Sequence, residues 1–185
     1  MRDVVRREAR KVTRAFSSEY VSSASSVIEN RLFEYLDANF DMTSEDTRVF
    51  VYNSYGTEVD THNVIRRLVD SGVSVYLPIV RGNIIEAVKV ERDSDFVEGD
   101  YGIMEPVGKI YDGVFDISIT PLLAYDRSLN RMGKGMGYYD RFFAGHIVGC
   151  IIGLAFKKQE FSNVYAEPHD VKMNVIINEK ELLCE

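Results

Sequence analysis

Tryptophan is absent from the 185 residues, and cysteine occurs only twice, at Cys150 and Cys184. Two thiols of this kind make neither a disulfide framework nor a zinc-ligand pattern, so a reducing compartment, the cytoplasm, is expected. Long hydrophobic runs are missing too. The longest, Ile147 to Phe156, falls far short of the roughly 20 apolar residues that a membrane-spanning helix needs. Positive charge is in short supply, with 22 Lys and Arg against 29 Asp and Glu and a net charge of -7. That balance argues against a general nucleic-acid binder, which needs a broad basic surface, yet leaves room for a local basic pocket. There is no internal repeat, no low-complexity tract and no linker, so residues 1–185 are expected to form a single domain.

What is present is an ordinary globular mixture, 45% hydrophobic and 28% charged. The N-terminus carries Arg2, Arg6, Arg7, Arg10, Lys11 and Arg14. Asp3 and Glu8 interrupt this basic run, and organelle presequences avoid acids, so it reads as a helix of the folded protein. Val5, Ala9, Val12 and Phe16 recur at helical spacing, and a cap at Ser17 or Ser18 starts a second helix carrying Val21, Ala24, Val27, Ile28, Leu32, Tyr35 and Leu36. Strands are expected at Val49–Tyr52, at Val73–Leu77 (stopped by Pro78), at Val114–Thr120 (ended by Pro121) and at Val148–Phe156. Val175–Ile177 adds a short one, and Ile84–Val90 reads as an edge strand or part of a hairpin. Helices are expected at about Asp60–Asp70, closed by Gly72, and at about Tyr138–Ala144. Alternating strands and helices predict an α/β single domain: a mostly parallel sheet with helices on both faces and a helical N-terminus. Ligands of such sheets sit at the carboxyl ends of the strands.

The segment Arg131-Met132-Gly133-Lys134-Gly135-Met136-Gly137-Tyr138-Tyr139-Asp140-Arg141 stands out. Glycine reaches positive φ cheaply and lets backbone N–H groups converge on an anion, and the helix that follows adds its positive end. With Arg131 and Lys134 alongside, the loop reads as a site for a nucleotide's phosphates, and Asp140 stands where it can hold magnesium. The spacing is neither that of the P-loop nor the dinucleotide fingerprint. The same composition also suits a flexible surface turn ahead of an amphipathic helix.

Together with Asp116-Ile117-Ser118-Ile119-Thr120-Pro121 and the turn Ala124-Tyr125-Asp126, this block closely resembles the 5-formyltetrahydrofolate cyclo-ligase family. Other segments match that family in order: Glu58-Val59-Asp60-Thr61, Gly102-Ile103-Met104-Glu105-Pro106, Ile152-Gly153-Leu154-Ala155-Phe156 with Gln159, and Pro168 with His169-Asp170-Val171. The resemblance spans nearly the whole chain. It implies ATP- and Mg2+-dependent conversion of 5-formyltetrahydrofolate to 5,10-methenyltetrahydrofolate, with release of ADP and phosphate. The formyl oxygen would be phosphorylated, and N10 would then close the ring. Folate and ATP are the partners implied, and the chain is expected to be a monomer.

Residue by residue, the resemblance implies catalytic roles for Lys134, Arg131 and Tyr138. ATP would be held by Arg2, Arg6, Arg131, Met132, Gly133, Lys134, Gly135, Met136, Gly137, Tyr138 and Tyr139. The folate would meet Asn53, Glu58, Lys134, Gly135, Met136, Gly137 and Tyr138, and magnesium would meet Asp140 and Asp170. Each position has a plainer reading. Arg2 and Arg6 suit an exposed basic helix face, Glu58 a contact with a helix dipole, and Asp140 a first-turn carboxylate. Asp170 suits a solvated turn, and the tyrosines suit helix packing.

Departures from the family pattern are Met132 for Leu, Thr120 for Val, Arg2 for Lys and Asn174 where Asp is common. Two other functions share the architecture. One is a module that holds nucleotide or folate without chemistry. The other is a sugar-phosphate isomerase, which would need a positioned base and no ATP, with only Glu58 or Glu105 as candidates. His62, His146 and His169 have no ligand spacing.

Overall fold

The computed structural model describes residues 1–99 and 102–184. Helix α1 (Arg2–Arg14) turns Ala9 and Thr13 inward. Helix α2 (Ser18–Asn39) starts at Ser17, whose side chain accepts the Tyr20 N–H at 3.2 Å. Ala24, Ile28, Leu32 and Leu36 recur every four residues and are buried. That stripe is what fixes α2 to the sheet, since each fully buried Leu or Ile contributes about 1.5–3 kcal/mol. Helix α3 (His62–Ser71) buries Val64 and Leu68 and closes at Gly72, where φ is 93° and any side chain would be strained.

In chain order the strands are β1 (Arg48–Val51), β2 (Ser74–Arg81), β3 (Ile84–Val90), β4 (Phe96–Glu98), β5 (Met104–Pro106), β6 (Ile110–Tyr111), β7 (Phe115–Pro121), β8 (Ala124–Tyr125), β9 (Arg131–Met132), β10 (Val148–Leu154), β11 (Val175–Ile177) and β12 (Leu182–Cys184). Helix α4 (Tyr138–Gly145) lies between β9 and β10, and a 3₁₀ turn covers Lys157–Gln159. The main sheet has eight strands in the order β12-β11-β10-β7-β1-β2-β3-β6. Its centre, β2 to β11, is parallel, while β3, β6 and β12 are added antiparallel.

Alternation along the strands divides the core. Val49 and Val51 face α2 and α3 in one cluster, whereas Phe50 faces Phe142 of α4 in another, ring centroids 4.3 Å apart. Helices therefore cover both faces of a mixed, mostly parallel sheet, as the sequence predicts.

Three expectations are corrected or extended. Pro78 does not stop β2, which runs on to Arg81. Pairing with β1 ends at Tyr76, so the missing N–H of Pro78 costs that ladder nothing, and the strand continues against β3 alone. Ile84–Val90 resolves as the second arm of a hairpin, joined to β2 at Gly82 (φ 63°). It is not the edge, because β6 pairs on its far side. The terminal strand β12 is additional.

The order of strands in the sheet places β7 and β2 on opposite sides of β1. The connections leaving β1 and β7 therefore part at their carboxyl ends and open a crevice there.

Candidate active site

A cavity of about 470 Å³ occupies that crevice. Its floor is Tyr52, Asn53 and Tyr55 after β1, Pro78 and Val80 of β2, and Pro121 at the end of β7 with Leu122 and Leu123 beyond it. The glycine loop, α1 and the segment around His169 form its rim.

The loop leaves β9 and enters α4 through Gly135 (φ 107°) and Gly137 (φ 65°), both left-handed. Arg141, on the first turns of α4, grips it from below by donating to the Met136 carbonyl at 2.8 Å and to the Asn83 carbonyl. Arg10 reaches across from α1 and donates to the Lys134 carbonyl at 2.6 Å. The loop is thus held at both ends by side chains from other elements rather than left as a mobile turn.

Cations converge on this loop. Arg131 is 4% exposed, donates to Asp140 and lies 5.9 Å from the Tyr139 ring centre. Arg2 grips Asp170 with both terminal nitrogens, at 2.5 and 2.9 Å, and donates to the Tyr165 carbonyl at 2.7 Å. Arg6 pairs with Asp3 at 2.6 Å and lies beside Gly135. Lys134 pairs with Glu58 at 2.7 Å, over the Tyr55 ring at 3.9 Å. Among the described residues four buried side-chain nitrogens or oxygens lack a hydrogen-bond partner, and three of them are the Nε atoms of Arg2, Arg6 and Arg131 on this cavity. Donors left without a hydrogen bond in one place have room for an acceptor from outside the chain, an ordered water or a ligand.

Proton affinities follow the pairs. Burial pulls the Lys134 ammonium down, but the Glu58 carboxylate outweighs it and the net shift is upward, so Lys134 stays charged. Burial pushes the Asp170 carboxyl up, while the Arg2 bonds and the Glu167 N–H pull it further down, leaving it below the usual value. Tyr139 is driven well upward by burial and by nearby Glu58, and remains a neutral phenol.

The structure gathers nearly all the sequence-derived candidates here. Arg2, Arg6, Asn53, Glu58, Arg131, Gly133 to Tyr139, Asp140 and Asp170 all line the cavity. Tyr138 donates its hydroxyl to the Gly82 carbonyl at 3.2 Å, and the Asn53 amide donates to the Met104 carbonyl at 3.0 Å.

Met132 is the exception among them. Its side chain is fully buried with Ala9, Leu123, Ala124 and Val164, and it does not reach the cavity wall. Strand alternation explains this, because Arg131 points to one side and its neighbour to the other. The two carboxylates expected to meet magnesium both stand on the rim, each engaged by an arginine. Among the described residues, the group with metal-ligand spacing is Glu167, His169 and Asp170.

Sequence reasoning missed Arg10 and Glu167 on the cavity wall, and named Glu105 there only as part of a family segment and as a candidate base for an isomerase. Arg10 had a signal: Arg2, Arg6 and Arg10 are spaced by four, which puts them on one helix face. Glu167 had none before the fold of its loop was known.

The model of the 5-formyltetrahydrofolate cyclo-ligase family matches residues 1–179. The 5-formyltetrahydrofolate cyclo-ligase of Escherichia coli strain K12 is 30% identical over 139 residues, covering 70% of this chain and 76% of that protein. The enzyme of the same name from Haemophilus influenzae is 29% identical over 134 residues, covering 68% and 72%. Among solved structures, the 5,10-methenyltetrahydrofolate synthetase of Aquifex aeolicus superposes with a TM-score of 0.85 at 25% identity, covering 99% of this chain and 92% of that one. The synthetase of Mycoplasma pneumoniae shares the fold at a TM-score of 0.75 and 19% identity, covering 97% and 99%. The chain belongs to the 5-formyltetrahydrofolate cyclo-ligase family, ATP-dependent ligases that make 5,10-methenyltetrahydrofolate.

Proposed function

We propose that this chain converts 5-formyltetrahydrofolate to 5,10-methenyltetrahydrofolate at the crevice, at the expense of ATP. The observation that carries the reading is the set of buried arginine Nε atoms of Arg2, Arg6 and Arg131 that have no hydrogen-bond partner, gathered around a glycine loop held by Arg10 and Arg141. A triphosphate supplies the acceptors that these donors lack. The glycine-loop amides and the N-terminal end of α4 add further donors.

The chemistry needs positioning more than it needs a strong base. A formyl oxygen is a poor leaving group. When it attacks the γ-phosphorus, ADP departs and the oxygen becomes part of a phosphate ester that N10 can displace from carbon. Lys134 as a point charge and Arg131 as a planar fork neutralise the phosphate oxygens as charge spreads over them. Tyr138, neighbouring both the loop and Gly82, closes the side of the cavity next to the reacting groups.

Each cation is held by a carboxylate before ligand arrives: Lys134 by Glu58, Arg131 by Asp140 and Arg2 by Asp170. Phosphate binding exchanges these partners, which frees Glu58 for N–H groups of the folate and frees Asp140 and Asp170. Those two carboxylates offer the hard oxygens that Mg2+ prefers. When bound, the ion supplies charge neutralisation on the phosphates.

The test is to supply 5-formyltetrahydrofolate, ATP and magnesium and to follow the absorbance of the methenyl product. Product should accumulate with stoichiometric ADP. A folded protein that binds ATP and yields no product would instead be a binding module, and the reading would fail.

A further inference from the structure

Glu105 takes no part in the ion-pair system just described, yet it lines the same cavity. Its side chain is 6% exposed. It rises from β5 on a wall that also includes Pro78 and Val80 of β2, Ile85 of β3 and Ile103. None of these elements carries a cation of the phosphate site. A carboxylate in such surroundings is costly unless its oxygens are matched. Its oxygens meet two partners. Oε1 accepts the Val80 N–H at 2.9 Å, and Oε2 lies 3.4 Å from an Arg81 nitrogen whose side chain is 59% exposed. The second contact is long and screened by solvent. A carboxylate has about four acceptor positions, so unused capacity remains in a dry wall.

The backbone preserves this arrangement. A Cβ at Gly99 would overlap the Glu105 side chain, so glycine there allows β4 to close over it. The Asn53 amide, donating to the Met104 carbonyl, ties β5 to the floor of the cavity.

We propose that Glu105 is a substrate-binding residue that determines specificity, accepting hydrogen bonds from the adjacent amino and ring N–H donors of the pterin's 2-amino-4-oxopyrimidine ring. This rests on the function proposed above. Two neighbouring donors in one plane match the two oxygens of a carboxylate, and an apolar wall around it suits the flat ring. Glu58 lies nearer the phosphate loop through Lys134, so the two carboxylates serve different parts of the ligand. A site built to meet a donor discriminates strongly against an analogue that lacks it.

The experiment is a cycle between protein and ligand. It compares the wild type and Glu105→Gln on 5-formyltetrahydrofolate and on an analogue whose 2-amino group is replaced by methyl. The amide keeps an acceptor for the Val80 N–H, and circular dichroism with a melting curve checks the fold. The wild type should lose at least tenfold in kcat/KM on the methyl analogue, and Glu105→Gln less than about threefold. On the natural substrate the variant's KM for folate should rise at least tenfold, with the KM for ATP within twofold. If the two losses simply multiply, Glu105 is structural only and the assignment is overturned. Should Glu105→Gln not fold, Glu105→Asp enters the same cycle, where retained wild-type discrimination would overturn it. If the wild type makes no methenyl product, the proposed function has failed, and the cycle is then read in dissociation constants for the two ligands.

Discussion

At the scale of the residue, the site is a set of charges already neutralised within the chain. Lys134 shows what this implies. Its ammonium is half exposed, so its pair with Glu58 adds less than about 1 kcal/mol to stability. Opposite a transferring phosphoryl group with water excluded, the same charge is worth far more. Lys134→Ala should therefore lower kcat by about 10²–10³-fold while leaving the urea midpoint almost unchanged, and near-normal turnover would remove Lys134 from the site. Gly137 makes the opposite case. At φ 65° an alanine is strained, and its Cβ would lie 2.9 Å from an Arg141 nitrogen that holds the loop. Gly137→Ala should cost about 1–2 kcal/mol in urea unfolding and raise the KM for ATP. The three glycines and the two cations were legible in the sequence because their chemistry is local. The carboxylate facing each cation was not, since Glu58 and Lys134 are 76 positions apart and only the fold brings them together.

Elements bring distant residues together, and α1 does so by acting as a strap. Its arginines at intervals of four reach Asp170, the region of Gly135 and the Lys134 carbonyl in turn. The strap is anchored at Asp170, a carboxylate held below its ordinary value because the Arg2 bonds more than offset burial. A lowered value means that the ionised form favours the fold. The contribution is complete above the unfolded value of about 3.9 and is lost as the pH falls through the folded one. Asp170→Asn should cost about 1–2 kcal/mol at pH 7, and its deficit against the wild type should shrink below about pH 4. A deficit that does not change with pH would contradict this account.

The helices and central strands that hold this strap in place were readable from period and caps: Ser17 and Gly72 close their helices as expected. What failed was the reading of Pro78 as a stop. Whether a proline breaks a strand depends on which neighbours are present at that position, and sequence does not give the neighbours. The short β12 was lost for a similar reason, since three residues show no period and the strand exists by pairing with β11.

On the scale of the whole molecule, the site joins segments of unequal stability. Strands β1, β7 and β10 run through the middle of the sheet, each paired on both sides, and most of β1 and of β7 and the second half of β10 are buried on both faces. Their amides should exchange with solvent only on global unfolding. The rim is different. Helix α1 buries only Ala9 and Thr13, and the loop around His169 is largely exposed. These parts open at a small fraction of the global cost, and ligand binding must hold them closed. A ligand present at 100 times its dissociation constant stabilises the folded state by about 2.7 kcal/mol. Here that stabilisation should fall on the rim, because the rim supplies the arginines proposed to engage the triphosphate. Hydrogen exchange followed by mass spectrometry should therefore show MgATP slowing residues 2–14, 133–138 and 165–172, with the already slow central strands unchanged. In Arg2→Ala, protection of 2–14 should be lost, since that side chain is what would join the start of α1 to the triphosphate, while 133–138 keeps most of its own. Protection confined to the glycine loop in the wild type would mean that α1 is a scaffold only, and that the strap takes no part in holding the nucleotide.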